Sequence, residues 1–557
     1  MGILLKAKAP TSPGESTMGD TMNFGRFLSD TARLHPEREA LVWREHSYTW
    51  RELEARVNAL AQGLKVLGVG RGDAVLLHSR NNARMVEAIW AVFKLGAVLA
   101  PTNFRLTPPE IAYLAGLVKA RAFIYDAPFA PHVDAARKAA PMLEHVVAME
   151  NARKGEHDYE AVLSSHAGAG PWEASVNRDD PLWYFFTSGT TGRSKAAVLS
   201  HGQMAYVVTN YLADLMPGLS HEDASIVVAP LSHGAGLHMM VNTARGAKTV
   251  LMPGEALDVE EAWRLMEAHR VSNLFTVPTI VKMLVEHPAR EKCDHGALRW
   301  VIYAGAPMYR EDQKTALATL GPVLVQYYGM GEVTGNITVL PPWMHSGEDD
   351  AMPLGSCGYP RTGMEIAIHD PDFSEGKGFL PTGEQGEVCV RGLGVFTGYL
   401  DNPEANAASL RDGWFRTGDL GYLDEQGLLY LTGRASDMYI SGGANVYPRE
   451  IEEVLLEHEA VSEAAVLGVP DPKWGEAGVA VVVPRQASNP GSEGGANGVG
   501  EAELLGYLEG RLAKYKWPRR IFMWEALPKS GYGKVPKHLI RQTLFDRGDL
   551  AEGEPVG

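Results

Sequence analysis

Apolar residues along this chain fall into two recurring patterns, one with helical spacing and one with short continuous runs. Helices are predicted over four segments: 50–67, 82–95, 259–269 and 448–457. Strands are predicted over six apolar runs: 74–77, 122–125, 225–229, 273–277, 464–469 and 477–483. Because helices and strands alternate through most of the chain, the pattern predicts an α/β fold of mostly parallel sheets covered by helices.

A change of pattern divides the chain. A length of 557 residues is too great for one hydrophobic core, so at least two domains are expected. Residues 23–433 are predicted to form the large helix-covered domain and residues 438–557 a small, mobile α+β domain, with a hinge at 434–437. Residues 1–22, which lack any apolar period, are predicted to be a loose tail. The polar, Gly-rich stretch 485–500 is predicted to be a flexible surface loop.

The composition is that of a globular protein, since 45% of the residues are hydrophobic and 22% are charged. No run approaches the roughly 20 apolar residues of a membrane span, and neither end resembles a targeting signal, so a cytoplasmic location is expected. Cys293, Cys357 and Cys389 stand far apart, which argues against a zinc site, a disulfide framework or a dithiol centre.

The formal net charge of −16 argues against a nucleic-acid partner, because so acidic a surface repels a polyanion. The segment 511–541 departs from this average, with nine Lys and Arg residues against the single acid Glu525. Such a segment is either a solvated face or a docking surface for a polyanionic small molecule.

The strongest chemical signal is the segment Tyr184-Phe-Phe-Thr-Ser-Gly-Thr-Thr-Gly-Arg-Ser-Lys195, an apolar strand that runs into a loop of glycines and hydroxyl residues. Glycines let backbone N–H groups approach an anion, hydroxyls add donors and lysine adds positive charge, so this composition indicates a phosphate-binding loop. The spacing of Gly189 and Lys195 does not fit G-x-x-x-x-G-K-[ST], which removes the main support for a kinase or GTPase.

Six further segments follow this loop in a fixed order along the chain. They are Ala229-Pro-Leu-Ser-His-Gly-Ala-Gly236, Tyr303-Ala-Gly-Ala-Pro307, Tyr328-Gly-Met-Gly-Glu332, Trp414-Phe-Arg-Thr-Gly-Asp419, Gly433-Arg-Ala-Ser-Asp-Met-Tyr-Ile-Ser-Gly-Gly443 and Pro528-Lys-Ser-Gly-Tyr-Gly-Lys534. With the phosphate loop, they resemble the motifs of the adenylate-forming enzymes, which include acyl- and aryl-CoA synthetases, firefly luciferase and the adenylation domains of peptide synthetases. The resemblance covers nearly the whole chain, is closest to the acyl- and aryl-CoA synthetases, and implies ATP-dependent activation of a carboxylic acid as its acyl-adenylate.

The resemblance also implies which residues bind ATP and Mg²⁺. The residues implied to bind ATP are Thr187, Ser188, Gly189, Thr190, Thr191, Gly192, Lys195, Gly305, Ala306, Pro307, Tyr328, Gly329, Asp419, Arg434 and Lys534. Asp419 would accept hydrogen bonds from both ribose hydroxyls, and Lys534 would reach the α-phosphate and the attacking carboxylate. Glu332 and Thr191 would hold the magnesium ion. The implied catalytic residues are Lys534, Glu332 and His233.

The acyl pocket is implied to be lined by His233, Leu237, His238, Met239, Val277, Ala304, Met330 and Gly331. His233 is expected to shape or gate this pocket, because the attacking carboxylate is already ionised at neutral pH and needs no base; a purely structural histidine is the alternative. No acid in 232–240 could pair with an α-ammonium group, and the expected lining contains no Arg or Lys. We therefore expect a fatty or aromatic acid with an uncharged tail, and no dicarboxylate.

Coenzyme A is the expected acyl acceptor. The small side chains of Ser441, Gly442 and Gly443 would admit a thin pantetheine arm, and Lys514 and Lys516 of the basic segment are also expected to bind CoA. Three alternatives remain open at this point: a ligase that loads a separate carrier protein, a luciferase-like oxygenase and a non-catalytic ATP sensor. The sequence is also compatible with a homodimer.

Two positions depart from the family pattern. Gly331 stands where a threonine usually precedes the glutamate, so either another donor replaces the missing hydroxyl or the pocket is roomier there. Ser436 stands in the hinge where Asp or Lys is common, and Asp437 follows it. The hinge role is therefore assigned to the whole segment 434–437.

Overall fold

The helices and strands alternate along the chain as the apolar pattern predicts. The computed structural model describes residues 22–188, 194–306, 308–348, 355–370, 378–434, 437–441, 444–472, 474–485, 499–529 and 535–551. The α-helices within these ranges are Arg26–Leu34, Trp50–Val66, Ala83–Lys94, Pro108–Leu117, Ala130–Ala139, Tyr159–Ser164, His201–Asp214, Gly234–Arg245, Val259–Ala268, Pro278–Glu286, Arg310–Leu320, Pro403–Ser409, Pro448–Leu456, Glu501–Tyr507 and Lys537–Asp546. The predicted α/β class is confirmed, with a large N-terminal domain of mainly parallel sheets and a smaller C-terminal domain.

The helix Trp50–Val66 shows how local sequence defines an element. Glu52 N donates to Thr49 Oγ1 at 3.2 Å, and Thr49 N donates to Glu52 Oε2 at 2.8 Å. This capping box satisfies two of the backbone donors that a helix start otherwise leaves unpaired. The buried apolar residues at helical spacing are Leu53, Val57, Leu60 and Leu64.

The largest sheet of the described chain forms the centre of the N-terminal domain. Its nine strands, in spatial order, are Tyr359–Pro360, Thr338–Leu340, Leu324–Tyr328, Trp300–Tyr303, Asn273–Thr276, Ala224–Val227, Lys248–Leu251, Glu39–Trp43 and His46–Thr49. The six central strands pair in parallel, and the outer ones pair antiparallel. Strands buried on both faces explain why these segments appear as continuous apolar runs in the sequence.

Two further sheets complete the N-terminal domain. The eight-stranded sheet consists, in spatial order, of Gly398–Tyr399, Ser194–Ser200, Pro181–Ser188, Val98–Pro101, Ala74–His78, Ala122–Tyr125, His145–Ala148 and His157–Asp158. The five-stranded antiparallel sheet consists of Met364–His369, Gly386–Gly392, Trp414–Leu423, Leu410–Arg411 and Leu429–Arg434. The last strand of the five-stranded sheet ends at Arg434, where the predicted hinge begins.

The C-terminal domain has its own sheet and its own core. Its described strands are Tyr439–Ser441, Ala444–Val446, Val461–Asp471, Gly475–Pro484 and Arg520–Met523. The long strands Val461–Asp471 and Gly475–Pro484 pair antiparallel, and apolar residues on both faces of this pair are buried. This arrangement is an α+β domain, as the sequence predicts.

One residue at or next to the end of each of two predicted irregular segments packs on a core. Met22, placed in the predicted tail 1–22, packs on the core and donates its N–H to Val176 O at 3.0 Å. Val499, placed in the predicted loop 485–500, is 5% exposed in the C-terminal core. Residues 1–21 and 486–498 lie outside the described ranges.

Three of the predicted motifs and the predicted lining residue Val277 follow neighbouring parallel strands. The strands Ala224–Val227, Asn273–Thr276, Trp300–Tyr303 and Leu324–Tyr328 are adjacent in the nine-stranded sheet. Because the carboxyl ends of parallel strands meet at one edge, the segments that follow them are brought together there. Within the described ranges, every helix is too short or too polar to cross a membrane.

Candidate active site

A β-hairpin places the two ends of the phosphate loop side by side. Thr187 on strand Pro181–Ser188 pairs with Lys195 on strand Ser194–Ser200. Lys195 Nζ lies 4.8 Å from the centre of the Tyr399 ring, which is a favourable cation–π distance. The ammonium group is thereby held at the end of the hairpin strand that follows the loop.

Glu332 lies beside this hairpin and is buried. Its carboxylate belongs to the short helical turn Gly331–Val333 and is 7% exposed. Tyr399 OH donates to Glu332 Oε1 at 2.9 Å, and burial, together with Glu332, raises the pKa of Tyr399. Tyr399 therefore contacts both the cation of Lys195 and the carboxylate of Glu332.

A second carboxylate, Asp419, is held by two donors from different elements. Tyr328 OH donates to Asp419 Oδ2 at 2.6 Å, and Arg434 Nε lies 3.0 Å from Asp419 Oδ1. Asp419 is 6% exposed, whereas the Arg434 side chain is 51% exposed. The neighbouring carboxylate raises the pKa of Arg434, so the guanidinium group is charged at neutral pH. Each carboxylate oxygen retains a second lone pair that could accept from a ligand.

Gly331 leaves no spare room, so the roomier pocket considered from the sequence is not found. A Cβ atom at Gly331 would lie 2.5 Å from Phe185 Cδ1 and 2.9 Å from Thr187 Cγ2. The space of the usual threonine is therefore taken by an aromatic ring and a methyl group. Gly329 is similarly constrained, since its Cβ would lie 2.5 Å from Gly335 Cα.

The acyl motif begins a helix beside an aromatic wall. His233 precedes the helix Gly234–Arg245, and its ring lies 4.7 Å from the ring of Phe185. A Cβ at Gly234 would lie 2.5 Å from Phe275, which stacks on Tyr327 at 5.8 Å. The other implied lining residues are buried or half-buried: Leu237, Met239, Val277, Ala304, Met330 and Gly331.

His238 of the acyl motif is buried, and its ring lies 6.3 Å from that of Phe275 in this wall. Its Nε2 atom lies 2.7 Å from Asn273 Oδ1 and 3.1 Å from Ser225 Oγ, and Nδ1 lies 3.2 Å from Tyr211 OH. Helix Gly234–Arg245 turns about 100° per residue, which directs His238 towards the sheet. Burial lowers its pKa to about 4, so it is a neutral core histidine.

Four of the nine cations in the basic segment 511–541 pair with acids of their own domain. The ion pairs are Lys516–Glu450, Arg520–Glu501, Lys529–Glu463 and Lys537–Glu452. Lys514 is exposed, and Ser441 ends the strand Tyr439–Ser441. The charge excess in the sequence therefore overstates the positive potential of this surface.

Several predicted site residues lie outside the described ranges, and their roles stay predictions. They are Gly189, Thr190, Thr191, Gly192, Pro307, Ser436, Gly442, Gly443 and Lys534. Ser188 is described in its backbone, where it pairs with Ser194. Gly305 has φ of +85°, a left-handed conformation that favours glycine, and Ala306 follows it.

The side chains near the phosphate loop suit Mg²⁺ better than a metal held by protein ligands alone. In the described part of the chain, no group of three or more His, Cys, Asp or Glu side chains could hold a metal ion. Mg²⁺ is commonly held by one or two carboxylates plus substrate phosphates and water, so the buried Glu332 beside the hairpin fits this ion.

Tyr399 and Phe185 were missed as site residues by sequence reasoning. Phe185 lies in the apolar strand that leads into the phosphate loop, and nothing in its spacing shows that its ring meets Gly331. Tyr399 is 67 residues from Glu332 in sequence, and only the pairing of strand Gly398–Tyr399 with Ser194–Ser200 brings it close. A contact between residues so far apart in the chain produces no pattern in the sequence around either residue.

Comparison with known proteins agrees with this geometry. Residues 28–400 match the model of the AMP-binding enzyme family, and residues 450–534 match the AMP-binding enzyme C-terminal domain. The feruloyl-CoA synthase of an Amycolatopsis species is 35% identical over 92% of this chain and 97% of its own length. The indoleacetate–CoA ligase of Aromatoleum aromaticum is 33% identical over 94% and 98%, respectively. ATP-bound MatB from Rhodopseudomonas palustris superimposes with a TM-score of 0.82 at 28% identity, covering 94% of this chain and 99% of that one.

The chain belongs to the AMP-binding, adenylate-forming enzyme family. It is an AMP-forming ligase that joins a carboxylic acid to the thiol of coenzyme A, and it uses ATP and Mg²⁺. The predicted family, fold class and cosubstrates are therefore confirmed. The domain boundaries, the roles of individual site residues, a homodimer and a cytoplasmic location stay predictions.

Proposed function

We propose that the enzyme works in two half-reactions on an aromatic carboxylic acid. In the first, the carboxylate attacks the α-phosphorus of ATP, forming an acyl-adenylate and releasing pyrophosphate. In the second, the thiol of CoA attacks the acyl carbonyl carbon, forming the thioester and releasing AMP. The observation that carries this proposal is the convergence of Lys195, Glu332 and Asp419 at one edge of the nine-stranded sheet.

Charge governs the first half-reaction, because an anion must approach an anion. Lys195 at the phosphate loop and Arg434 beside Asp419 supply positive charge before the substrates meet. Preorganised charges of this kind stabilise the transition state without the reorganisation that water requires. Mg²⁺, held at Glu332, would add charge neutralisation at the phosphates. Lys534, by resemblance, acts at the α-phosphate.

The nucleotide is positioned by Asp419. A ribose offers two neighbouring hydroxyl donors, and a carboxylate offers two oxygens that can accept both. Tyr328 and Arg434 hold this carboxylate from two sides, so its orientation does not depend on the ligand. A fixed ribose in turn fixes the line of attack on the α-phosphorus.

An aromatic acid fits the acyl side best. Two pairs of rings border the acyl motif: Phe185 and His233 lie 4.7 Å apart, and Phe275, beside Gly234, stacks on Tyr327 at 5.8 Å. Aromatic side chains favour offset or edge-on contact with another ring. The relatives named for feruloyl-CoA and indoleacetate act on aromatic acids by their names, which supports the same class here.

The test is a comparison of aromatic and aliphatic acids with ATP and Mg²⁺, first without CoA and then with it. We expect one equivalent of pyrophosphate per enzyme without CoA, because the adenylate is retained. Addition of CoA should give thioester and AMP with continued turnover. Turnover that requires a carrier protein in place of CoA, or consumption of oxygen, would contradict the assignment. Equal kcat/KM for both classes of acid would remove the aromatic preference.

A further inference from the structure

Arg361 is a buried cation to which the proposed function gives no role. It follows the edge strand Tyr359–Pro360 of the nine-stranded sheet and donates its backbone N–H to Ile337 O at 2.9 Å. Its side chain is among the largest fully buried ones, with the residue 1% exposed. It lies outside the segments from which the sequence predicts the acyl lining.

The guanidinium group is poorly satisfied by its neighbours. Nη1 donates to Gly335 O at 3.4 Å, and Nε lies 3.9 Å from Asp214 Oδ2, which is too far for a hydrogen bond. Among the described residues, Nε and Nη2 have no acceptor. Asp214 is already engaged, because Thr362 N and Thr362 Oγ1 each donate to it at 2.8 Å. Burial lowers the pKa of Arg361 to about 10, which leaves it charged at neutral pH.

Further polar atoms close to this guanidinium also lack protein partners. Asn336, next to Gly335, is 0% exposed, and neither atom of its amide makes a hydrogen bond of acceptable geometry within the described chain, although Tyr206 OH is nearby. Asn210 donates to Thr362 O, yet its Oδ1 atom is unpaired in the same sense. Buried polar atoms are normally paired with protein groups, water or a ligand, so these unpaired atoms are candidate contacts for a bound polar group.

Aromatic rings connect this polar group to the acyl motif. The guanidinium carbon of Arg361 lies 5.2 Å from the ring centre of Tyr211. The rings of Tyr211 and Tyr327 are 6.3 Å apart, and Tyr327 stacks on Phe275 at 5.8 Å. Phe275 in turn contacts Gly234 at the start of the acyl helix. Arg361 is therefore at the far end of the aromatic wall.

We propose that Arg361 binds an oxygen atom at the far end of the carboxylic acid, so that the substrate is an aromatic acid with a distal hydroxyl, carbonyl or carboxylate group. A forked guanidinium with free donors suits such an acceptor, and a buried charge without a close partner is otherwise costly. The inference rests on the proposed function, since the acid enters past the acyl motif. A dicarboxylate was not expected from the sequence because the predicted lining contains no Arg or Lys. With Arg361 at the far end of the pocket, that reason no longer holds.

Three acids of similar shape test this proposal: cinnamate, 4-hydroxycinnamate and 4-carboxycinnamate. The measurement is kcat/KM from pyrophosphate release. The wild-type enzyme should prefer at least one oxygen-bearing acid over cinnamate by about tenfold or more, because a site built for a polar group rejects the analogue that lacks it. Arg361→Met should bring that ratio close to one. The better of the two oxygen-bearing acids tells whether the distal group is neutral or anionic.

Lys94→Met is a matched control, because Lys94 is another fully buried cation, held by Glu54 and Asn58. It should lower the melting temperature without changing the ratio between acids. A wild-type ratio near one, or an equal loss on all three acids in Arg361→Met, would overturn the proposal.

Two further measurements cover failed folding and failed catalysis. If Arg361→Met does not fold, Arg361→Lys should keep only part of the wild-type ratio, since it retains charge but loses the fork; an undiminished ratio would count against Arg361. If none of the tested acids leads the wild-type enzyme to release pyrophosphate, the proposed function fails. Calorimetric titration of the three acids without ATP then decides the role of Arg361, with tighter binding of an oxygen-bearing acid supporting it and equal binding overturning it.

Discussion

At the scale of single residues, the site depends on groups that hold other groups in place. Asp419 is oriented by Tyr328 and Arg434, and Glu332 is oriented by Tyr399. A buried carboxylate that loses one donor keeps its desolvation cost. Removing the hydroxyl group of Tyr328 or Tyr399 should therefore cost more free energy than the loss of an exposed hydrogen bond. Packing explains why glycine stands at position 331 in place of the usual threonine, because the ring of Phe185 occupies the space that a side chain would need.

Tyr328→Phe should weaken ATP binding by removing the 2.6 Å hydrogen bond to Asp419. A hydrogen bond to a charged group contributes about 1.5–3 kcal/mol, so KM for ATP should rise roughly tenfold or more, with KM for the acid little changed. Steady-state kinetics at varied ATP would measure this. Tyr430→Phe is the matched control, because Tyr430 OH donates to Asp424 at 3.2 Å on the same sheet. An equal KM for ATP in wild type and Tyr328→Phe would contradict the role given to this hydroxyl.

At the scale of elements, the apolar periodicity predicts the bounds of helices and strands but not the contacts between distant strands. The strand 122–125 was predicted at its observed bounds, and helices 50–67 and 259–269 each end one residue earlier in the structure, because alternation and capping are encoded in adjacent residues. The positions of Tyr399 and Arg361 could not be predicted. Each is brought to the site by pairing of a two-residue strand, Gly398–Tyr399 or Tyr359–Pro360, which is too short to produce a pattern.

The predicted loop 485–500 offers a test of which residues contribute to stability. Deletion of Ser488–Gly498 should change stability and activity little, since a polar Gly-rich loop buries little surface and loop-closure entropy varies slowly with length. Val499→Ala should cost about 1–3 kcal/mol, because Val499 is 5% exposed in the C-terminal core. Urea unfolding of both variants gives the comparison. A deletion as destabilising as Val499→Ala would show that the loop packs against the domain.

At the scale of the whole molecule, buried histidines should make folding sensitive to mild acid. Burial lowers the pKa of His78 to about 3 and the pKa values of His201, His238 and His345 to about 4. The unfolded chain titrates near about 6.5 and therefore binds more protons between pH 6.5 and 4. The free energy of unfolding should fall as pH decreases through this window, by about 2 kcal/mol per histidine at pH 5. His201→Asn should reduce the loss between pH 7 and pH 5 by that amount in urea titrations, and an unchanged loss would contradict the assignment.

Motion of the C-terminal domain follows from two groups that need the same space. In the proposed mechanism Lys534 covers the carboxylate during adenylation, and the thiol of CoA must later reach the same carbonyl carbon. We therefore expect the domain to rotate between two poses. The segment 434–437 is the proposed hinge; Asp437 N and Met438 N both donate to Arg434 O at 3.1 Å, which forms a turn at the end of the last N-terminal strand.

Ser436→Pro should slow one half-reaction far more than the other, because proline fixes φ near about −65° and removes an N–H. Ser436 lies outside the described residues, so the expectation rests on its place in the hinge sequence. If the adenylating pose is retained, thioester formation should be the slower step by tenfold or more, which corresponds to about 1.4 kcal/mol of barrier. Stopped-flow measurement of pyrophosphate release and of thioester appearance would separate the two steps. Ser436→Ala is the control, since it removes the hydroxyl and leaves the backbone free, and it should slow neither step. Equal slowing of both steps by Ser436→Pro, or of neither, would remove the hinge from this mechanism.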